Sequence, residues 1–412
     1  MQKKFNILHI SDLHLRNFEQ GRETKSGYKL ESEKLTIDYE LALIKFIDCI
    51  KNINTKTKID CVLITGDIYN FADKNINTKN IDLLIKTIKS ISKNILIAFG
   101  NHELRLNYSK HNNQLEFKTT QSGELDDFED LIGYKLNAPY NFEKIKSQIN
   151  QIINPDKLDY SKIKKLENLL FITPLDQFEI SPVYRLKNHK LKTFGIYYNA
   201  NMHPNIIFVV INSAWINFSS EQSKNKLIAG HKIINEIDNE LKLKYNKKDD
   251  KLVITLIHND YNWFDYTERH KQLNQNNSTI EIINNFSDFI LCGHEHCEVP
   301  PAFIDFNSCI FKVGGLLADF NLSFSLLKLN FMSSLLERNC YIWDNSNCSW
   351  EFSDKYHLNC ELFSGRSKNK LKHPVRDINE LFLLTKEGVN NSFKPAVTLP
   401  YFGQVVNIQI PI

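Results

Sequence analysis

An excess of one charge sign is missing from this chain. Its 51 Lys and Arg stand against 48 Asp and Glu, a formal net charge of +3, too even for bulk electrostatics to mark a nucleic-acid binder. Any site for a polyanion must therefore be local. Also missing is a Cys-x-x-Cys pair. The eight cysteines (Cys49, Cys61, Cys292, Cys297, Cys309, Cys340, Cys348 and Cys360) include several within apolar runs such as Ile59-Asp60-Cys61-Val62-Leu63-Ile64. That placement suits buried thiols of a reducing compartment better than a disulfide framework. There is no long apolar run: the longest have the length of a strand, well short of the roughly 18 to 20 residues of a membrane-spanning helix. Asn6 and His9 interrupt the amino-terminal run before it could serve as a secretory signal. A soluble cytoplasmic protein without membrane association is expected. No repeat with a period of 20 to 50 residues is present, and an Asn/Lys/Ile bias carries no functional reading.

What is there is an ordinary globular composition, 42% apolar and 24% charged over 412 residues, enough to bury a full core as one large domain or two to three smaller ones. Residues 5 to 10, 59 to 65 and 94 to 99 read as short apolar strands, and Tyr39 to Ile50 and Ile81 to Ile91 have helical apolar spacing. This alternation predicts a largely parallel sheet. It resumes with strands at 206 to 211, 252 to 257 and 288 to 292 and a helix-like stretch at 220 to 243, expected to complete the same core. The segment 104–205 lacks the alternation and is too long for a connecting loop, so an insertion or cap is expected there. Past Gly314-Gly315 the chain becomes β-rich, with hairpin-like segments at 321 to 331 and 341 to 350. The reading sets a core domain at 1–330 and a carboxy-terminal extension at 331–412.

Five polar clusters each follow an apolar strand: Asp12-Leu13-His14, Gly66-Asp67-Ile68-Tyr69-Asn70, Gly100-Asn101-His102-Glu103, His258, and Gly293-His294-Glu295-His296. In an open α/β sheet the loops at the carboxyl ends of the strands converge on one edge, so these residues can meet. Asp-x-His puts an anionic oxygen and an imidazole two positions apart, a spacing that lets both reach one cation. Carboxylate, amide and imidazole donors without thiolate favour Mn²⁺, Fe or Zn²⁺, with Mn²⁺ put first.

The clusters, in this order, resemble the calcineurin-like metallophosphoesterases. The resemblance implies a four-layer αββα sandwich and two divalent metal ions. It assigns Asp12, His14 and His296 to one ion and Asn101, His258 and His294 to the other, with Asp67 bridging them. Two such ions lower the pKa of a shared water toward ~7 and stabilise a phosphoryl group under in-line attack, so the nucleophile would be hydroxide and the substrate a phosphate ester. His102 would contact substrate and protonate the leaving oxygen, with Glu103 orienting it. The likeness is to stand-alone bacterial enzymes that share Asn212-Ser213-Ala214-Trp215 and Trp263, although those usually read His-His-Pro where this chain has His258-Asn259-Asp260.

Related protein phosphatases clamp phosphate with arginines that flank the second and third motifs. Here those places hold Phe71-Ala72-Asp73 and Phe99, which argues against a phosphoprotein substrate and for a phosphodiester of a nucleotide or nucleic acid. The opening Leu8-His9-Ile10-Ser11-Asp12-Leu13-His14-Leu15 also resembles repair nucleases of the Mre11/SbcD type, so a DNA or RNA nuclease is the alternative, and an inactive scaffold the rival from another class. A partner protein, such as the ATPase of the nuclease branch, is marked by no residue. Cys292 and Cys297 fit no common zinc spacing, and His9 is read as structural. The basic run Arg366 to Arg376 reads as a solvated loop before a phosphate contact, and aromatics such as Tyr108, Phe117 and Tyr184 as packing of the insertion.

Overall fold

Strict alternation of side chains along each strand sorts this chain into layers. The computed structural model describes residues 4–15, 38–68, 78–98, 100–101, 179–181, 195–198, 202–213, 225, 227–244, 251–270, 275–296, 302–304, 308–317, 322–362, 398–401 and 404–407. Strand β1 (Lys4–Ile10) pairs parallel with β2 (Cys61–Thr65), which pairs parallel with β3 (Ile95–Ala98). On the other edge of β1, antiparallel strands add β11 (Ser323–Asn330), β12 (Leu335–Asp344) and β13 (Ser349–Glu361), giving the order β13-β12-β11-β1-β2-β3.

The later strands form a second sheet rather than extending the first. Its order is β4 (Glu179–Ser181), β5 (Gly195–Tyr198), β6 (Ile206–Ile211), β7 (Leu252–Ile257), β8 (Phe289–Cys292), β10 (Ser308–Lys312) and β9 (Ala302–Ile304). β6, β7, β8 and β10 run parallel, and the outer strands antiparallel. Two mixed sheets are what the αββα sandwich implied by the resemblance requires; only the parallel character read from the alternation is corrected, by the antiparallel strands at the sheet edges. The local pattern gives the strands, but strands buried on both faces look alike whichever sheet they join.

Residues two apart point the same way. Phe5, Ile7, Cys61, Leu63, Leu96 and Ala98 of the first sheet meet Phe208, Val210, Ile254, Leu256, Phe289, Leu291 and Phe311 of the second in a shared interior layer. The alternate residues Leu8, Ile10, Val62, Ile64, Ile95 and Ile97 face outward onto α1 (Tyr39–Lys56) and α2 (Thr78–Ile91). Val209, Val253, Ile257 and Ile290 face onto α3 (His231–Lys244) and α5 (Thr279–Phe286); α4 (Tyr266–Arg269) is a single turn between them. Four layers, αββα, result.

The helices have local reasons to be where they are. Asp38 caps α1 by accepting from the Leu41 N–H at 3.0 Å, and Ala42, Leu43, Phe46, Ile47, Ile50 and Ile53 keep the three-and-four spacing that buries one face. α5 opens on a reciprocal cap, in which Glu281 Oε2 accepts the Ser278 N–H (2.6 Å) and Ser278 Oγ accepts the Glu281 N–H (3.2 Å). The helix read at 220 to 243 begins only at His231, because Gly230 sits at φ +92° with its N–H given to the buried Glu268 carboxylate.

Beyond residue 330, where the sequence reading ends the core, β12 and β13 are hydrogen-bonded into the sheet of β1. Trp350 of β13 donates to the Ala42 carbonyl of α1 at 3.0 Å. One compact unit runs over Met1–Lys370 and a second over Leu371–Ile412, in which β14 (Thr398–Tyr401) and β15 (Gln404–Asn407) form a hairpin. Most of the 104–205 segment, the basic run and the aromatics weighed above lie outside the described residues; the described parts of the segment, β4, β5 and the residues from 202, lead into the second sheet. Among the described residues six cysteines are free thiols, four of them buried. No described helix is long and apolar enough to cross a membrane.

Candidate metal centre

All the loops in question leave the carboxyl ends of parallel strands. The chain after β1 runs beside the chain after β2, with Asp12 N–H donating to Gly66 O (3.0 Å), His14 N–H to Asp67 O (3.0 Å) and Leu15 N–H to Ile68 O (2.9 Å). The Leu316 N–H holds Ser11 O from the opposite side at 3.0 Å, and the Gly293 N–H reaches His258 O at 3.1 Å. Ser213 Oγ and Asn259 exchange hydrogen bonds at 2.8 and 3.1 Å, fixing the turn after His258.

These loops are strained in a telling pattern. Eight described non-glycine residues have positive φ, and five of them are Asp12, His14, Asp67, His294 and His296. Such a conformation costs on the order of 1–3 kcal/mol per residue and persists where surroundings over-determine it. Two glycines admit the close approach. A Cβ at Gly100 would lie 2.1 Å from Asp67 Oδ1, and one at Gly293 would lie 1.9 Å from Ser11 Oγ and 2.3 Å from Asp12 Oδ2.

The structure brings together all seven residues that the sequence singles out as metal ligands. Ligand atoms of Asp12, His14 and His296 lie within 4.8 Å of one another, as do those of Asp67, His258 and His294. His14 Nε2 is 3.1 Å from His296 Nε2, which is 3.2 Å from Asp12 Oδ1. His258 Nε2 is 3.0 Å from Asn101 Oδ1, 3.1 Å from His294 Nδ1 and 3.3 Å from Asp67 Oδ2. Asp67 Oδ2 lies 4.0 Å from His14 Nε2, so this carboxylate stands between the two groups. His102, Glu103, Tyr69 and Asn70 lie outside the described residues.

Three observations test whether such a donor set fits a cation. Asp12 Oδ1 is buried and accepts no hydrogen bond, although a buried carboxylate oxygen left without one is costly. His258 Nδ1 faces the Thr65 carbonyl at 2.6 Å and must donate there, which turns the Nε2 lone pair of the neutral ring toward Asp67 and Asn101; a metal-binding imidazole is oriented in this way. Charge supplies the third. Burial alone would lower the pKa of His258, but the Asp67 and Asp12 carboxylates raise it to about 9. Burial and then the charge of His258 lower His294 to about 3. Burial would raise Asp12, yet the imidazoles of His14 and His296 hold it well below the usual carboxylate range. The two carboxylates favour a single positive charge among these imidazoles, at His258, and the donors fit divalent ions.

The sequence reading missed Lys312 at the end of β10. Its ammonium is hydrogen-bonded to Asp260 Oδ2 and, at 2.7 Å, to Glu295 Oε2. A lone charged residue closing the apolar run Ser308-Cys309-Ile310-Phe311 was the only trace of it.

Among curated proteins no relative matches at a significant level. Solved structures similar to this chain include YfkN of Bacillus subtilis, a calcineurin-like phosphoesterase (11% identity, 88% of this chain, 92% of that one, TM-score 0.33). Vps29 of Entamoeba histolytica complexed with zinc is another (12%, 86% and 99%, TM-score 0.29), and a cold-active protein-tyrosine phosphatase of a Shewanella species a third (13%, 84% and 80%, TM-score 0.29). The sequence pattern of the calcineurin-like phosphoesterases matches residues 5–298, which take in all five clusters. On that match, this chain belongs to the calcineurin-like phosphoesterase family, hydrolases that act on phosphoric esters.

Proposed function

We propose that this enzyme is a phosphodiesterase acting on a nucleotide or nucleic acid in the cytoplasm, with Mn²⁺ as its metal. The observation that carries the reading is the gathering of seven donors from five separate loops into two adjoining groups, with Asp67 between them and a buried Asp12 oxygen that accepts no hydrogen bond. Asp12, His14 and His296 would hold one ion, and His258, His294 and Asn101 the other, with Asp67 between them. When bound, the ions would supply Lewis-acid stabilisation of phosphoryl oxygens and a water acidified to near neutral pH.

The protein's own groups do the rest. Thr65 O accepts from the ring of His258, and the Asp12 carboxylate accepts the His294 N–H at 2.9 Å, so acceptors at the ends of β2 and β1 set the loops after β7 and β8. His102, which follows Asn101 directly, would protonate the leaving oxygen, a role worth about 10²- to 10⁴-fold. Preference for a diester is supported by Phe71-Ala72-Asp73 and Phe99, which stand where phosphatases of the family place arginines. A diester brings one charge fewer to the site than a monoester. Free, buried thiols support a reducing compartment.

The deciding experiment compares an aryl phosphodiester with the matching monoester under Mn²⁺, Fe²⁺ and Zn²⁺, with a chelator control. Faster diester turnover that the chelator abolishes is expected. Preference for the monoester would overturn the diester assignment, and no turnover with any metal would leave an inactive scaffold. The resemblance of Leu8 to Leu15 to repair nucleases makes DNA and RNA the second panel; cutting faster than the aryl diester would identify a nuclease.

A further inference from the structure

We propose that Lys312 is a positioning residue of this centre: its ammonium ties the loop after β7 to the loop after β8 and thereby sets the spacing of His258, His294 and His296. The inference rests on the dinuclear reading above and adds to it a residue outside the five clusters.

Lys312 is the last residue of β10, in register with Cys292 at the end of β8, so its side chain starts at the rim where the ligand loops begin. It reaches Asp260, two residues past His258, and Glu295, which stands between His294 and His296. The Lys312 and Asp260 side chains are only 13% and 3% exposed, and Glu295 25%, so the pair is not a surface bridge of the kind worth about 0–1 kcal/mol. Two carboxylates outweigh burial and raise the pKa of this lysine, which fixes it as a cation. Its main chain is anchored too. Lys312 O accepts from Nη2 of Arg338, a fully buried residue on β12 of the other sheet, at 2.5 Å.

Why such a tie is needed follows from the backbone. His294 and His296 both sit at positive φ, +70° and +48°, and relaxing either would swing its imidazole off the centre. Among the hydrogen bonds of Glu295 are one from its N–H to Gly293 O, within the loop itself, and one from Lys312. The Lys312 bond reaches outside the loop and resists relaxation. Without the ammonium, the Asp260 and Glu295 carboxylates would face each other and repel, and Glu295 would turn to solvent, carrying the backbone of both histidines with it. Asp260 is held on its other side by capping the turn at Tyr261–Trp263, where it accepts the Asn262 N–H at 3.0 Å.

The test is Mn²⁺ titration of the metal-stripped full chain by calorimetry, beside thermal unfolding without metal. Wild type should bind two ions. Lys312→Met should bind both ions 10- to 100-fold more weakly, the usual range for loss of a group that orients ligands, because His296 and His294 belong to different ligand groups. Lys312→Arg, which keeps the cation, should restore most of the affinity. A purely structural lysine would instead lower the unfolding temperature and leave the Mn²⁺ affinity of the folded protein unchanged, and that result overturns the proposal. Should Lys312→Met fail to fold, Glu295→Gln decides: it removes the charge at the exposed end of the tie, and wild-type affinity there also overturns it. If wild type binds no Mn²⁺, the dinuclear reading itself falls. If wild type binds two ions and Lys312→Met binds them equally well, only the positioning role falls.

Discussion

Gly293→Ala is the most economical probe of how this centre is built, because it adds one methyl group and no charge. Glycine is not needed there for its backbone angles; space is the constraint. The new Cβ would stand 1.9 Å from Ser11 Oγ and 2.3 Å from Asp12 Oδ2, where real Cβ contacts essentially never fall below 3.0 Å. Ser11 is fully buried and its hydroxyl donates to Thr65 O at 3.0 Å, the same carbonyl that faces His258 Nδ1. Asp12 Oδ2 is equally confined, since it accepts the His294 N–H at 2.9 Å. Overpacking of a well-filled interior costs about 1–3 kcal/mol, and displacing a hydrogen bond to an ionised oxygen costs about 1.5–3 kcal/mol. At 1.4 kcal/mol per tenfold change, a loss of about 2 kcal/mol at Asp12 means Mn²⁺ affinity lower by roughly 30-fold. Calorimetric Mn²⁺ titration measures the second effect, and thermal unfolding of the chelator-treated protein measures the first, expected as a drop of a few degrees. A variant that binds Mn²⁺ as wild type does would refute the claim that Asp12 and the Gly293 loop are locked together.

Three further outcomes are expected. Asp67→Ala should abolish both metal retention and turnover, read by metal analysis after gel filtration and by diester hydrolysis; undiminished turnover would remove Asp67 from the site. His102→Ala should keep its metal and lose about 10²- to 10⁴-fold in rate, most on substrates with poor leaving groups, and loss of metal instead would make His102 a ligand. The third concerns pH. Because the folded protein raises His258 from 6.5 to about 9, it binds that proton more tightly than the unfolded chain does. The associated stability is therefore complete below pH 6.5 and is lost as pH rises through about 9. The urea midpoint of chelator-treated protein should fall between pH 6.5 and 9 and should rise instead when Mn²⁺ takes the place of the proton; a flat midpoint without metal would refute the assigned proton.

The chemistry was legible because it is written in short local words. Asp12-Leu13-His14 and Gly293-His294-Glu295-His296 each keep their donors within a few residues, and each follows an apolar run whose period marks it as a strand. Strand ends bring donors to one rim regardless of which sheet each strand joins, so the site could be read before the sheets could. Pairing was not legible. That β1 takes β11 as its neighbour, with Asn6 opposite Lys328, depends on contacts more than three hundred residues apart, for which the alternating pattern carries no address. Lys312 stayed hidden for a related reason. It acts on Asp260 and Glu295 only because β10 lies beside β8, and a single lysine after Phe311 reads like any strand terminus.

The position of β1 between β2 and β11 sets an order of events during synthesis. The strand that leads into Asp12 leaves the ribosome long before its antiparallel neighbour at Ser323–Asn330 and the Trp350 that packs on α1. Pairings of such long range close slowly. A nascent chain halted after His296 but before Ser323 would hold every ligand yet present one bare edge of β1, open to strand exchange or to capture by a chaperone.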